Sequence, residues 1–325
     1  MSLLRKKSDR GTQDRLDVRD QDYLNESLNH TALEGGTLTS FLPVCGNADC
    51  STGWIRLWRR RITPRFEGLW ACSAQCLETM LRKAMDRESV LRAASENVVE
   101  TYRHRVPLGL MLYSQGTISE EQLKKALQSQ REAKEAGKPA RRIGRWLIQQ
   151  KCLDEAQLAT ALSAQWNCPV YSAERFDQKQ ASYCLPRLFA ESYHVLPLRR
   201  SSSGQILVAY EERFDHRINL ALERMHHAQV VAGVMAPTQY RTAHGHLMTA
   251  SYPKLRLIEV ANRDVFVRAM VKRIEEFQPM DAALVTVHDY YWLRMWKTSR
   301  HDMENVEDLI AVEKNFTSED RWSDL

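Results

Sequence analysis

The chain has 325 residues, 43% hydrophobic and 27% charged, with 46 Lys and Arg against 41 Asp and Glu. That composition is ordinary for a folded globular protein, and the net charge of +5 is too mild by itself to imply nucleic acid or membrane as a partner. No apolar run approaches the roughly 18 residues of a membrane-spanning helix, and the length suits two or three domains.

In chain order, residues 1–40 are polar and charged. With no apolar core segment, they read as a disordered N-terminal tail and not as a signal peptide. Residues 41–100 read as a zinc finger and its following helix. Cys45 and Cys50 form one close pair; Cys72 and Cys76 form another, after 21 intervening residues. Two such pairs suit one tetrahedral zinc ion, and four thiolates leave no open position for chemistry, so the expected role is structural. Cys72 and Cys76 are four residues apart at the start of a helix predicted from Ser73 to about Arg92, where the helix N-terminus favours thiolate. The insert from Trp54 to Trp70 alternates apolar and basic residues and reads as a hairpin. It interleaves Arg56, Arg59, Arg60, Arg61 and Arg65 with Trp54, Trp58 and Phe66. Such a pattern can bind nucleic acid, and a solvated strand face gives the same alternation. No element looks like a groove-reading helix, so nucleic acid is the alternative partner and not the first. Knuckle, hairpin and helix, with Trp70-Ala71-Cys72-Ser73, resemble a treble-clef zinc finger. The other cysteines, Cys152, Cys168 and Cys184, are scattered; without a signal peptide they read as reduced thiols of a cytoplasmic protein.

Residues 108–130 and 143–165 are one segment written twice, offset by 35. Gly109 becomes Gly144, Leu112 becomes Leu147, and Leu123, Leu127 and Gln130 become Leu158, Leu162 and Gln165. Each copy reads as two short helices joined by a tight turn. Leu108 and Leu112 share a face of the first helix, as do Ile143 and Leu147. Gly116 stands where a helix C-terminus favours a left-handed residue. Ser119 with Gln122, and Asp154 with Gln157, form capping boxes for the second helices. Gly109 and Gly144 lie early in helices, where glycine costs roughly 0.5–1 kcal/mol against alanine, so another helix or a ligand should approach the backbone there. The basic, glycine-containing stretch 131–141 reads as a flexible turn. The leucines alone would suit a plain duplicated helical bundle.

The pattern Leu/Ile-Gly-x-x-Leu-x-x-x-Gly, then Leu-x-x-x-Leu-x-x-Gln, resembles the N-terminal domain of type II secretion and type IV pilus assembly ATPases, called MshEN in its cyclic di-GMP-binding form. The resemblance spans residues 101–250. It continues through Cys168-Pro169-Val170-Tyr171, Leu185-Pro186, Val195-Leu196-Pro197-Leu198 and Gly204 to Ala209, with a helix at 217–227 and a strand at 229–235. It implies that an arginine opening each repeat and nearby backbone amides hold guanine and phosphate, while leucines pack on the base. The implied ligand residues are Leu108, Gly109, Leu112, Gly116, Leu123, Leu127, Gln130, Arg142, Ile143, Gly144, Leu147, Leu158, Leu162 and Gln165. Copy one departs from the pattern with Pro107 in the arginine position, although Arg105 is two residues away. Copy two keeps Arg142 but has Lys151 for the turn glycine, which either remodels the turn or offers a phosphate contact. The resemblance therefore implies either a cyclic di-GMP sensor or a module docking on a secretion or pilus motor.

Residues 251–300 read as a helix–strand piece, with an amphipathic helix at Arg263–Phe277 and a strand at Asp281–Val287. Residues 301–325 read as a polar tail. No Gly-x-x-x-x-Gly-Lys-Ser/Thr occurs, so a Walker-type motor is missing. His226-His227, His244-x-His246 and His288-Asp289 have no metal-site or triad context. The expected molecule is an α+β multidomain, non-enzymatic regulatory or scaffold protein. Its parts are a four-cysteine zinc finger, a tandem helical-hairpin repeat with a small α/β subdomain, and a C-terminal helix–strand piece.

Overall fold

The structure is a computed structural model that describes residues 45–51, 65–101, 105–139, 141–300, 303 and 305–313. The N-terminal tail expected at 1–40 and most of the insert from Trp54 lie outside the described residues. All that follows belongs to one unit, Val44–Leu325.

A two-residue-per-strand hairpin, β1 (Arg65–Phe66) and β2 (Leu69–Trp70), leads into α1 (Ala74–Thr101), a helix longer than its sequence suggested. The repeat follows as four helices: α2 (Leu108–Ser114), α3 (Glu120–Glu135), α4 (Ile143–Gln149) and α5 (Glu155–Trp166). Both capping boxes form in full, on Ser119 with Gln122 and on Asp154 with Gln157. The stretch 131–141 is not all turn. Helix α3 continues to Glu135 before Gly137, at φ 65°, reverses the chain.

The α/β part comprises β3 (Val170–Tyr171), α6 (Gln178–Cys184), α7 (Arg187–Ser192), β4 (Leu196–Arg200), β5 (Ile206–Tyr210), α8 (His216–His226), β6 (Val230–Met235) and α9 (Pro237–Met248). Its sheet runs β3-β6-β5-β4, parallel except for β4 against β5. Gly233 is required where β6 passes β3, because a Cβ there would lie 2.6 Å from the Pro169 carbonyl and 2.5 Å from the Tyr171 ring.

The C-terminal part comprises β7 (Lys254–Val260), α10 (Arg263–Phe277), β8 (Asp281–Val287), β9 (Tyr290–Trp296) and β10 (Val306–Glu313), with sheet order β7-β10-β9-β8. Both faces of this sheet are buried over β8, β9 and β10, by the period-2 alternation of strands, while the edge strand β7 is largely exposed. Val285, Trp292, Trp296 and Ile310 join the large core of the α/β part. Leu284, Leu293, Met295 and Leu309 pack with α1 and α10.

The polar tail expected from residue 301 instead contains β10, which pairs with both β7 and β9. Two of the acidic residues that suggested a tail, Glu307 and Asp308, are buried and paired. Asp308 takes both Nε (2.7 Å) and Nη2 (2.8 Å) of Arg294 and the Trp292 indole N–H (2.8 Å), while Glu307 is held by Arg273 and Arg256. A buried carboxylate persists where such partners replace its lost hydration.

Candidate functional site: a pseudo-two-fold cleft and a four-thiol centre

The two copies of the repeat clasp each other reciprocally. The Gln130 amide donates to the Arg141 carbonyl, and the Gln165 amide donates to the Val106 carbonyl, both at 2.7 Å. Donors and acceptors are related by the same offset of 35 that relates the sequences. The glycines obey the same relation. A Cβ on Gly109 would lie 2.7 Å from Leu123 Cδ1 and 3.8 Å from Ile143; one on Gly144 would lie 2.7 Å from Leu158 Cδ1 and 3.5 Å from Leu108. The glycines therefore let the helices of the repeat close together, and the copies sit about a local pseudo-two-fold.

The turns also match. Gly116 has φ 70°, and its amide and that of Thr117 donate to Tyr113 and Leu112. Lys151 has φ 58°, and its amide and that of Cys152 donate to Ile148 and Leu147. Lysine keeps the left-handed turn and does not remodel it. Its side chain is exposed and does not line the cavities below, which removes it as a phosphate contact.

A cavity of 430 Å³ opens where the copies meet. Of the implied ligand residues, Leu108, Gln130, Arg142, Ile143, Gly144, Leu158, Leu162 and Gln165 line it. Gly109, Leu112, Leu123 and Leu147 are instead buried between the helices, Gly116 makes its turn, and Leu127 is 38% exposed elsewhere. Core packing accounts for the buried four: Leu112, Leu123 and Leu147 share one core cluster, and Gly109 lies against Leu123.

Arg105 lines the same cavity as Arg142. Its guanidinium donates to the Gln165 carbonyl at 3.0 Å and lies 4.1 Å over the Trp166 ring. Thus an arginine two positions from the repeat-equivalent site still reaches the shared cavity. Pro107 itself only opens α2.

The remaining wall comes from the segment after β5, at the C-terminal end of a parallel strand, where open α/β sheets leave a ligand crevice. Glu212 and Arg213 line this cavity and also an adjoining one of 680 Å³. Glu212 meets Arg142 Nε at 3.3 Å and Arg145 Nε at 3.1 Å; Glu211 meets Arg145 Nη2 at 2.5 Å. Burial raises the Glu211 carboxyl, against the pull of Arg145. Further along, Asp215 caps α8 and accepts from His288 at 2.7 Å. Burial would raise the Asp215 carboxyl, but His288 and the α8 amides outweigh it and hold it low. Nothing in the sequence pattern marks Glu212, Arg213 or Trp166 as wall residues of the 430 Å³ cavity, because they lie outside the repeat's apolar register.

Two further histidines hydrogen-bond to backbone carbonyls. His226 is buried on the Cys184 carbonyl at 2.7 Å, and His244 reaches the Ala190 carbonyl at 3.0 Å.

The second centre gathers the four predicted cysteines. The sulfurs of Cys45, Cys50, Cys72 and Cys76 all lie within 4.8 Å of one another. Cys72 is 3.5 Å from both Cys50 and Cys76, far outside a disulfide bond. Metal–sulfur bonds of about 2.3 Å give a tetrahedron with edges of about 3.8 Å, so the donor set fits one ion. The knuckle is closed by the Cys50 amide on the Asn47 carbonyl (3.0 Å) and the Gly46 amide on the Trp70 carbonyl (2.8 Å). Ser73 caps α1 through the Cys76 amide at 3.2 Å, and Asn47 Nδ2 donates to Cys76 Sγ at 3.5 Å. Burial, then the neighbouring thiols, push the Cys72 thiol up to about 12. Burial raises the Cys45 thiol as well. The arginines Arg56, Arg59, Arg60 and Arg61 lie outside the described residues, and Arg65 is exposed.

No protein-family profile matches the chain, and no curated protein matches it. Among solved structures, the chain is similar to one of MshE with cdg, at 26% identity. The match covers 44% of this chain and 99% of that one, with a TM-score of 0.36. No helix among the described residues is long and apolar enough to cross a membrane.

Proposed function

We propose that this chain is a non-enzymatic regulator whose repeat binds cyclic di-GMP and whose four cysteines hold a structural zinc ion. The observation that carries the nucleotide reading is the shared cavity. A pseudo-two-fold repeat brings Leu108 and Ile143, Gln130 and Gln165, and the arginines Arg105 and Arg142 to one cavity. A ligand made of two identical guanylates in a ring matches that symmetry. Leucine and isoleucine side chains offer faces for two purines. Arginine offers the fork that pairs with phosphate or with guanine O6 and N7. The chain carries no phosphate-binding loop of its own, so its output is proposed to be docking on a secretion or pilus motor in the cytoplasm.

Calorimetric titration of cyclic di-GMP into the full chain tests the reading. Micromolar or tighter binding that Arg142→Ala weakens at least tenfold supports it, and absence of binding by folded protein refutes it. Metal analysis tests the second centre: about one zinc per chain is expected, lost in Cys72→Ser with Cys76→Ser. A metal-free yet folded protein would refute it.

A further inference from the structure

Among the described residues, Glu212 is the one acidic side chain lining the 430 Å³ cavity, set among Arg105, Arg142 and Arg213. It is only 16% exposed, and its two oxygens are divided between two guanidiniums. Oε2 meets Arg142 and Oε1 meets Arg145. A carboxylate bridging two arginines occupies the place that a phosphodiester oxygen would take. Arg145 has a second carboxylate in Glu211, whereas Arg142 has only Glu212 among the described residues. Withdrawing Glu212 therefore frees Arg142 while Arg145 stays paired.

We propose that Glu212 is an internal competitor for the arginine of the cleft and sets its affinity for phosphodiester anions. The inference rests on the nucleotide reading above. Binding is then an exchange of one anion for another on Arg142, not the filling of a vacant cationic site. Exchange costs affinity, because the ion pairs of Glu212 must be given up before the new ones form. It also sharpens selection, because an anion making a single contact gains too little to displace the glutamate, while a ligand that engages both Arg105 and Arg142 gains enough.

Glu212→Gln keeps the side chain's shape and removes its charge. Cyclic di-GMP would be titrated into the full-length wild type, Glu212→Gln and Glu211→Gln, with each fold checked by thermal melting. Glu212→Gln is expected to bind about fivefold to tenfold tighter, tenfold being about 1.4 kcal/mol, with Glu211→Gln within about twofold of wild type. Equal or weaker binding by Glu212→Gln overturns it, and leaves the nucleotide reading standing if the wild type binds. Absence of binding by all three overturns both. Should Glu212→Gln fail to fold, Glu212→Asp is too short to reach both arginines and is expected to bind tighter than wild type; no gain there overturns the proposal.

Discussion

The first and second copies of the repeat share their helix caps, their turns and the core leucine of the first helix, and differ in the charged residues that recognition would use. Leu112 and Leu147 are 1% and 0% exposed, both capping boxes close, and both turns adopt the left-handed conformation. Yet copy two opens on Arg142 and copy one on Pro107, with Arg105 reaching the cavity by another path. Packing constrains each position through many neighbours at once. A cationic head on a long side chain needs only to arrive, so its point of attachment can shift by two residues without loss of reach.

The largest effect should come from the shared core. Leu112→Ala and Leu147→Ala should each cost about 2–5 kcal/mol, within about 1 kcal/mol of each other, as read from urea unfolding. A large inequality would mean that the copies are not mechanical equivalents. Mild acid should separate the repeat from the rest. Residues 105–166 contain no histidine, whereas His226 is buried, and burial, then Arg294, holds its pKa well below the usual value. Its folded pKa lies below its unfolded one, so its contribution is complete above about pH 6.5 and falls as pH drops below that. The urea midpoint should decline from pH 7 to 5, and less in His226→Gln. An unchanged slope in that variant would assign the acid loss elsewhere.

Smaller still are the caps, where Ser119→Ala and Asp154→Ala should each cost about 1 kcal/mol. The turn swap should be smallest and opposite in sign between copies. Lys151→Gly should stabilise by up to about 1 kcal/mol, and Gly116→Lys should destabilise by a similar amount. Stabilisation by Gly116→Lys in thermal melts would contradict the left-handed turn.

Much of the fold was legible because its signals are local. The capping boxes, the helix Arg263–Phe277 and the strand Asp281–Val287 fall where period and caps put them. The four cysteines meet as their spacing implied. The strand Val306–Glu313 was missed because Glu307 and Asp308 look solvated until Arg273, Arg256 and Arg294 are brought against them from distant positions. The candidate cleft divides in the same way. Eight of the residues that the resemblance implied line it, whereas Glu212, Arg213 and Trp166 reach it through tertiary packing alone. Six implied ligand residues, Gly109, Leu112, Gly116, Leu123, Leu127 and Leu147, fall outside the cavity, because a repeat pattern records core and turn positions as faithfully as contacts.

The sharpest measurement compares cyclic di-GMP affinity in Arg105→Ala and Arg142→Ala, side by side in the full chain. A single two-fold site predicts that each variant loses affinity by about tenfold or more, since each half of the ligand loses its cation. Full affinity in Arg105→Ala beside loss in Arg142→Ala would contradict the account, for it would leave one copy as binding surface and the other as scaffold.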